Sequence, residues 1–337
     1  MNAPAGDADG RFLIGIDIGG TAIKLGRYRP GARELEAFRS LPTGASRPVD
    51  EVLRDIEEAG LALAQEATGA AIGVGVGIPG TLTRDGRIDV LPNFAPGWRG
   101  LAVAERLGEA CDLPGVVVND AHAFILAEAR LGAAAGARSA FGVTLGTGVG
   151  GGLVLDGRLH LGATGNAGQF GHHVYDAHGP RCGCGSHGCI ETYASAPALV
   201  ASVMRPFVQG AVPALVELAE GRWEAVTPAL IARAAEGGDP ICCEALERCA
   251  FVLGVGLADV TTLSAPECIV IGGGMAGLGE ALLAPLRRTL VAYARTAEVH
   301  LPAVLPAALG AQAGALGAAL YASDTLRISV PDETERP

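Results

Sequence analysis

The chain has 337 residues, of which 49% are hydrophobic and 18% charged. That is ample material for one large or two medium cores and excludes a disordered chain. Its 50 glycines and 20 prolines follow no G-X-Y period, which excludes a collagen-like fibre, and a net charge of −11 argues against a broad nucleic-acid surface built from clustered Lys and Arg.

Residues up to Gly10 are polar and acidic, and no run of 18 apolar residues free of charge and glycine clusters follows. Neither a leader nor a membrane span is expected, and the protein is expected to be cytoplasmic. Residues 12–18 read as a buried strand, followed by Gly19-Gly20-Thr21 and a second strand at 23–26, a hairpin bent around glycines. Residues 48–67 carry apolar side chains at helical spacing, with Asp50 placed to cap the start. A strand at 71–78, a helix at 101–111, a short strand at 116–118 and a helix at 121–131 opened by Asn119-Asp120 complete an α/β alternation. A second cycle begins with a strand at 139–145, a glycine turn over 146–152, and strands at 153–155 and 159–161. Strand, glycine turn, strand thus occurs twice, which predicts an internally duplicated α/β architecture. Residues 165–191 are irregular and rich in His, Cys and Gly. Helical tracts at 196–216 and 240–263, a strand at 268–271, the turn Gly272-Gly273-Gly274, and helices at 278–293 and 312–321 follow.

Adjacent glycines after a strand leave backbone N–H groups free to face an anion. Asp17-Ile18-Gly19-Gly20-Thr21 therefore reads as a phosphate turn or as a plain hairpin. Lys24, the chain's only lysine among 25 basic residues, is a compact point charge beside it. Thr144–Gly152, with two hydroxyls and five glycines in nine residues, is the stronger phosphate cradle. Two chance G-x-G-x-x-G matches (Gly75, Gly77, Gly80 and Gly146, Gly148, Gly151) lack the helix and the later acid of a dinucleotide site. Asn119-Asp120 closes a buried strand at the carboxyl edge of the sheet. It is either a helix cap or the place where a carboxylate takes a proton from a substrate hydroxyl. Cys182, Cys184 and Cys189 lie within eight residues, with His172 ten positions upstream and His173, His178 and His187 nearby. Three thiols and an imidazole make a closed tetrahedral site suited to structural zinc, with the choice of histidine left open by spacing. Cys111, Cys242, Cys243, Cys249 and Cys268 sit among apolar neighbours and carry no chemistry.

Together these residues resemble the ROK family of sugar kinases and sugar-responsive repressors, within the actin-like ATPase superfamily. The similarity runs from about Ile14 to Tyr321. Asp17-Ile18-Gly19-Gly20-Thr21 resembles the family's first phosphate motif, Leu145-Gly146-Thr147-Gly148 its second, and Ile271-Gly272-Gly273-Gly274-Met275 its adenosine motif. Asn119-Asp120 resembles its catalytic pair, and Gly171-His172 with Cys182 to Glu191 its zinc signature. The resemblance implies a duplicated actin-like (ribonuclease H-like) α/β fold with two domains flanking a cleft. The expected divisions are a tail at 1–10, a small domain at 11–120 joined by a helix near 308–322, a large domain at 121–307 with the zinc loop at 172–189, and a tail at 323–337.

It further implies ATP-dependent phosphorylation of a hexose, most naturally glucose, with an N-acetylhexosamine kinase or a fructokinase as alternatives and a degenerate sugar sensor as the non-enzymatic one. Asp120 would be the general base. Gly80, Asn93, Asn119, Asp120, Gln169, His172 and Glu191 would contact the sugar. Asp17, Gly19, Gly20, Thr21, Lys24, Gly146, Thr147, Gly148, Gly272, Gly273 and Gly274 would hold ATP with Mg²⁺. His172, Cys182, Cys184 and Cys189 would bind zinc. Gln169 departs from the Glu usual two residues before the Gly-His pair, which replaces a pure acceptor with a group that also donates. Sixteen residues precede Asp17, so no DNA-reading domain is expected ahead of it. Partners are expected to be small molecules and further copies of the chain, with no nucleic acid and no membrane.

Overall fold

The computed structural model describes residues 10–294 and 301–328. Contacts divide the chain into two compact units. The first takes residues up to Gly136 with Gly157–Ala167 and Ala308 onward, and the second takes Ala137–Asp156 and Gly168–Ala307. The first unit therefore continues past the expected boundary at residue 120, because the helix that follows packs within it. No described helix is long and apolar enough to cross a membrane.

The first unit opens with β1 (Phe12–Ile18), β2 (Ala22–Tyr28) and β3 (Ala37–Pro42), then α1 (Val49–Gln65), β4 (Ala71–Ile78), β5 (Thr81–Leu82), β6 (Ile88–Val90), α2 (Val103–Glu109), β7 (Gly115–Asn119) and α3 (Asp120–Leu131). Its main sheet has the order β3-β2-β1-β4-β7. Antiparallel pairing joins β1, β2 and β3, and parallel pairing joins β1, β4 and β7.

The second unit begins with β8 (Ala140–Leu145) and β9 (Val149–Leu155); β10 (Arg158–Leu159) lies in the stretch that belongs to the first unit. Then come α4 (Glu191–Ala194), α5 (Ala196–Val208), α6 (Pro213–Leu218), α7 (Pro228–Glu236), α8 (Pro240–Ser264), β11 (Cys268–Gly272), α9 (Glu280–Tyr293) and β12 (Ala303–Pro306), before α10 (Ala313–Thr325) returns to the first unit. Strands β9-β8-β11-β12 pair antiparallel, parallel, parallel. That repeats β2-β1-β4-β7, so the duplication expected from the two glycine turns is present in the topology.

All seven residues of β1 are buried, as a strand covered on both faces requires. Phe12, Ile14, Ile16 and Ile18 pack with Val52, Leu53 and Ile56 of α1. Leu13 points the other way, onto Leu126 of α3 and Ala315, Leu316 and Ala319 of α10. On that second face Gly15 and Gly75 admit the α10 backbone: a Cβ on either would meet the carbonyl oxygen of Ala315 or Ala318 at 1.9 Å.

Several local expectations are corrected. The second glycine turn covers 146–148 only, because Gly150, Gly151 and Gly152 already pair with β8 as part of β9. Asp50 lies in the first turn of α1 behind Pro48 and bonds Arg106 instead of capping the helix. The tract at 196–216 is broken between Val208 and Pro213 into α5 and α6. The tail expected from 323 begins later, since α10 runs to Thr325, Ser323 is buried and Leu326 and Ile328 pack against the core; residues 329–337 and 1–9 lie outside the described residues.

Candidate active site and metal centre

In the first unit the register sets Asp17 beside Gly77 and Ile78 beside Asn119. The carboxyl ends of β1, β4 and β7 thus carry Asp17, Gly80 and Asn119-Asp120 to one sheet edge, the edge where open α/β sheets bind ligands. Asn119 caps α3, its Oδ1 accepting from the N–H of Ala121 at 2.9 Å and of His122 at 3.3 Å. Its Nδ2 donates to the Gly80 carbonyl at 3.0 Å, which ties the ends of β4 and β7 together. Asp120 Oδ1 accepts from Ala121 N–H at 2.8 Å. Burial pushes the Asp120 carboxyl up to about 6, and the negative charge of Asp17 adds to the rise. Burial raises Asp17 too, against the pull of Lys24, whose Nζ lies 3.5 Å from Asp17 Oδ2. The chain's single lysine therefore partners a carboxylate in the free protein.

Gly20 and Thr21 are exposed, with open space around Gly20. One contributor has no sequence signal. Thr43, fully buried just past β3, donates its hydroxyl to the Gly19 carbonyl at 2.6 Å and its N–H to Thr21 O at 3.1 Å, bracing the first glycine turn. Asn93 is exposed in the loop after β6 with φ 65°, a left-handed conformation that Asn tolerates.

In the second unit β8 and β11 are parallel neighbours, with Thr144 opposite Gly272. Gly146–Gly148 and Gly272–Gly274 consequently leave the same edge side by side. Thr147, Gly273 and Gly274 are exposed. Gln169 and His172 belong to the turn before and within the short 3₁₀ segment Phe170–His172, and Glu191 opens α4. Glu191 Oε2 accepts from the N–H of Val149 at 2.9 Å, a contact with the glycine turn that sequence reading does not supply.

The same unit gathers His172, Cys182, Cys184 and Cys189 so that one donor atom from each lies within 4.8 Å of the others. Cys182 Sγ is 3.7 Å from His172 Nδ1, and Cys184 Sγ is 3.7 Å from Cys189 Sγ. Ligand bonds of about 2.0–2.3 Å in a tetrahedron give donor separations of about 3.4–3.8 Å, so the residues fit a closed zinc site. Nδ1 is the nitrogen turned to the thiols, which leaves Nε2 of His172 for another partner. His173 instead bonds Asp259, at 2.9 Å, and is exposed. Burial pushes the Cys189 thiol up to about 12, whereas the Ser186 N–H lowers Cys184; a cation bound here would displace protons from such thiols. Cys242, Cys249 and Cys268 are buried in the way small apolar residues are.

Comparison with known proteins agrees with these features. A glucokinase of Halalkalibacterium halodurans is 34% identical over 289 residues, covering 84% of this chain and 86% of its own. An N-acetylmannosamine kinase of Escherichia coli O157:H7 is 35% identical over 311 residues, covering 92% of this chain and 97% of its own. The crystal structure of a ROK family glucokinase from Streptomyces griseus in complex with glucose and AMPPNP superposes with a TM-score of 0.81 at 32% identity, covering 93% of this chain and 99% of that one. The ROK family model matches residues 13–325, and with both sheets built to one actin-like topology and the His/Cys₃ group drawn together, the chain belongs to the ROK family.

Proposed function

We propose that glucose is the sugar this ROK-family sugar kinase phosphorylates from ATP, giving glucose 6-phosphate, with Asp120 as general base. The observation that carries the reading is the pair of carboxylates at one sheet edge, Asp17 and Asp120, of which Asp120 is tuned to about 6 by burial and by its neighbour. A base of that strength is ionised at neutral pH yet basic enough to accept a hydroxyl proton as the oxygen attacks phosphorus. Asn119 fixes its backbone at the α3 start. Two carboxylates whose charges repel also suit a site that takes a cation: Mg²⁺ arriving with ATP neutralises phosphate charge, and Asp17 is the residue that would face it.

Within the second unit the Gly146–Gly148 turn, exposed at Thr147, offers backbone N–H groups to phosphate, and Gly272–Gly274 beside it is where the adenosine would lie; within the first unit the exposed Gly20-Thr21 turn offers the same chemistry. Zinc on His172, Cys182, Cys184 and Cys189 would be structural, since four protein ligands leave no open position. It would hold the His172 ring with Nε2 turned toward the sugar.

Glucose is favoured by the glucokinase relatives and by the glucose named in the Streptomyces griseus complex. N-acetylmannosamine is the second reading, favoured by the 35% identical kinase and by Gln169, whose amide donates where a carboxylate would not. The deciding experiment incubates the zinc-loaded protein with Mg-ATP and a panel of glucose, mannose, fructose, N-acetylglucosamine and N-acetylmannosamine, following ADP release and sugar phosphate. Glucose is expected to give the highest kcat/KM. A higher value for N-acetylmannosamine moves the assignment to that sugar, and sugar binding without turnover across the panel would identify a sensor instead.

A further inference from the structure

Chain neighbours of His172 and Cys189, two of the four candidate metal ligands, touch the second glycine turn, and all the residues involved belong to one unit. Two segments carry one ligand each, 170–174 with His172 and 189–196 opening on Cys189, and Cys182 and Cys184 lie in the loop between them. The two segments are joined to each other by the Ile190 N–H donating to the His173 carbonyl at 3.0 Å and by an antiparallel bridge between Val174 and Cys189. Both then reach the turn. Gly171 is so close to Val149 that a Cβ there would meet the Val149 carbonyl oxygen at 2.0 Å. Glu191 Oε2 takes the Val149 N–H at 2.9 Å and lies where a Cβ on Gly148 would be, 2.6 Å away. Farther along, the Ala196 N–H donates to the Gly146 carbonyl at 2.8 Å. The Gly146–Val149 backbone is thereby gripped at both ends and over its last peptide.

We infer that Glu191 is a positioning residue for the nucleotide: it transmits the rigidity of the metal-bearing segments to the Gly146–Gly148 turn and holds that turn open for phosphate. The inference rests on the reading of this turn as a phosphate site. The physical reason is pre-organisation. Glycines at 146 and 148 make the turn accessible and give its backbone wide conformational freedom, which must be given up when phosphate binds. A carboxylate bond to Val149 N–H is of the stronger, charge-assisted kind. It fixes the peptide that follows Gly148 before any ligand arrives. One oxygen of Glu191 is used this way, which leaves Oε1 for a sugar hydroxyl. A single side chain would then sense both substrates, so that sugar binding and phosphate binding reinforce each other.

The test titrates the non-hydrolysable analogue AMPPNP, with Mg²⁺ and without sugar, into the zinc-loaded protein, and follows deuterium exchange of the Val149 amide with zinc content measured in parallel. Glu191→Ala is expected to weaken AMPPNP about tenfold and to speed Val149 exchange at least tenfold at unchanged zinc content. Glu191→Gln, whose amide oxygen still accepts the N–H, is expected to recover most of both. Should the alanine variant lose zinc, Glu191→Asp decides the matter, with the charge kept and the carboxylate one methylene short: faster Val149 exchange upholds the link, and wild-type exchange overturns it. Unaltered AMPPNP affinity in Glu191→Ala, or a glutamine variant as impaired as the alanine one, also overturns it and leaves Glu191 a sugar contact alone. A wild-type protein that binds no AMPPNP at all would overturn the phosphate reading of the turn itself.

Discussion

Asp120→Asn is expected to lower kcat on the preferred hexose by a factor of about 10²–10⁴, the usual worth of a general base, and at the same time to make the free protein harder to melt above pH 7. Both effects have one cause. The Asp120 carboxyl stands at about 6 instead of 3.8, so the folded state binds its proton more tightly than the unfolded chain does. Between pH 4 and 6 the folded state is protonated and the unfolded state is not, so this group's contribution to stability falls as pH rises through that window. Above pH 6 the protein carries the full cost of an ionised, crowded carboxylate. The interval from 3.8 to about 6 corresponds to about 3 kcal/mol, and partial solvent contact of the residue reduces this to about 2 kcal/mol. Asparagine has no charge to crowd, so at pH 8 the variant should gain that amount, a rise in melting temperature of several degrees. At pH 4, where the wild-type group is protonated, the gain should vanish. In the wild-type enzyme kcat/KM should fall about tenfold per pH unit below pH 6. Thermal melts at pH 4 and 8 beside a rate profile check all of this. Undiminished turnover removes Asp120 from the chemistry, and a stability gain equal at both pH values removes the charge explanation.

This part of the site was legible early because its signal is local. Asn119-Asp120 stands after three valines of a buried strand, and a polar pair there advertises either a cap or a reagent. The structure makes Asn119 the cap and leaves the Asp120 carboxylate at the same sheet edge as Asp17, with its pKa raised by burial. The fold was equally readable where the signal is local. The strictly buried β1, the apolar spacing of α1 and the two glycine turns each follow from a few adjacent residues. Three cysteines within eight residues likewise announce their cluster.

What escaped reading depends on distant partners. β3 is mostly half-exposed and shows no apolar alternation, since it is an edge strand seen from one side. Thr43 braces the Gly19 turn from 24 residues away, and no property of a lone threonine foretells that. Residues 121–136 stay with the first unit because α3 packs against α10, nearly two hundred residues later in the chain. Buried Glu128 on α3 accepts from the N–H groups of both Ala308 and Leu309, fixing the point where the chain re-enters that unit. Such closures exist only in three dimensions. The Glu191 link belongs with them: its sequence neighbours speak for the metal signature, and the Val149 N–H it takes lies 42 residues upstream.

Removing the metal should therefore do more than loosen a sugar wall. Protein purified without chelators is expected to carry about one zinc per chain, and exhaustive chelation should lower its melting temperature by about 10 °C. A cation held at about a thousand times its dissociation constant contributes about 4 kcal/mol, and each kilocalorie moves the melting point of a unit this size by about 2–4 °C. The loss should be local. Residues 170–191 surround the thiols, so their amides should exchange first. The Gly146–Val149 turn should follow, because its outer contacts run through Gly171, Glu191 and Ala196. The first unit, including β1 and α10, shares none of these contacts and should keep its protection. Sugar and AMPPNP affinity should fall together in the stripped protein and return together when zinc is restored. Cadmium, with similar thiolate chemistry, should restore the exchange pattern as well. A stripped protein that melts at the original temperature and keeps its hexokinase rate would show that the four residues hold no structural cation. Loss of sugar affinity with nucleotide affinity intact would confine the metal's influence to His172 and its Nε2.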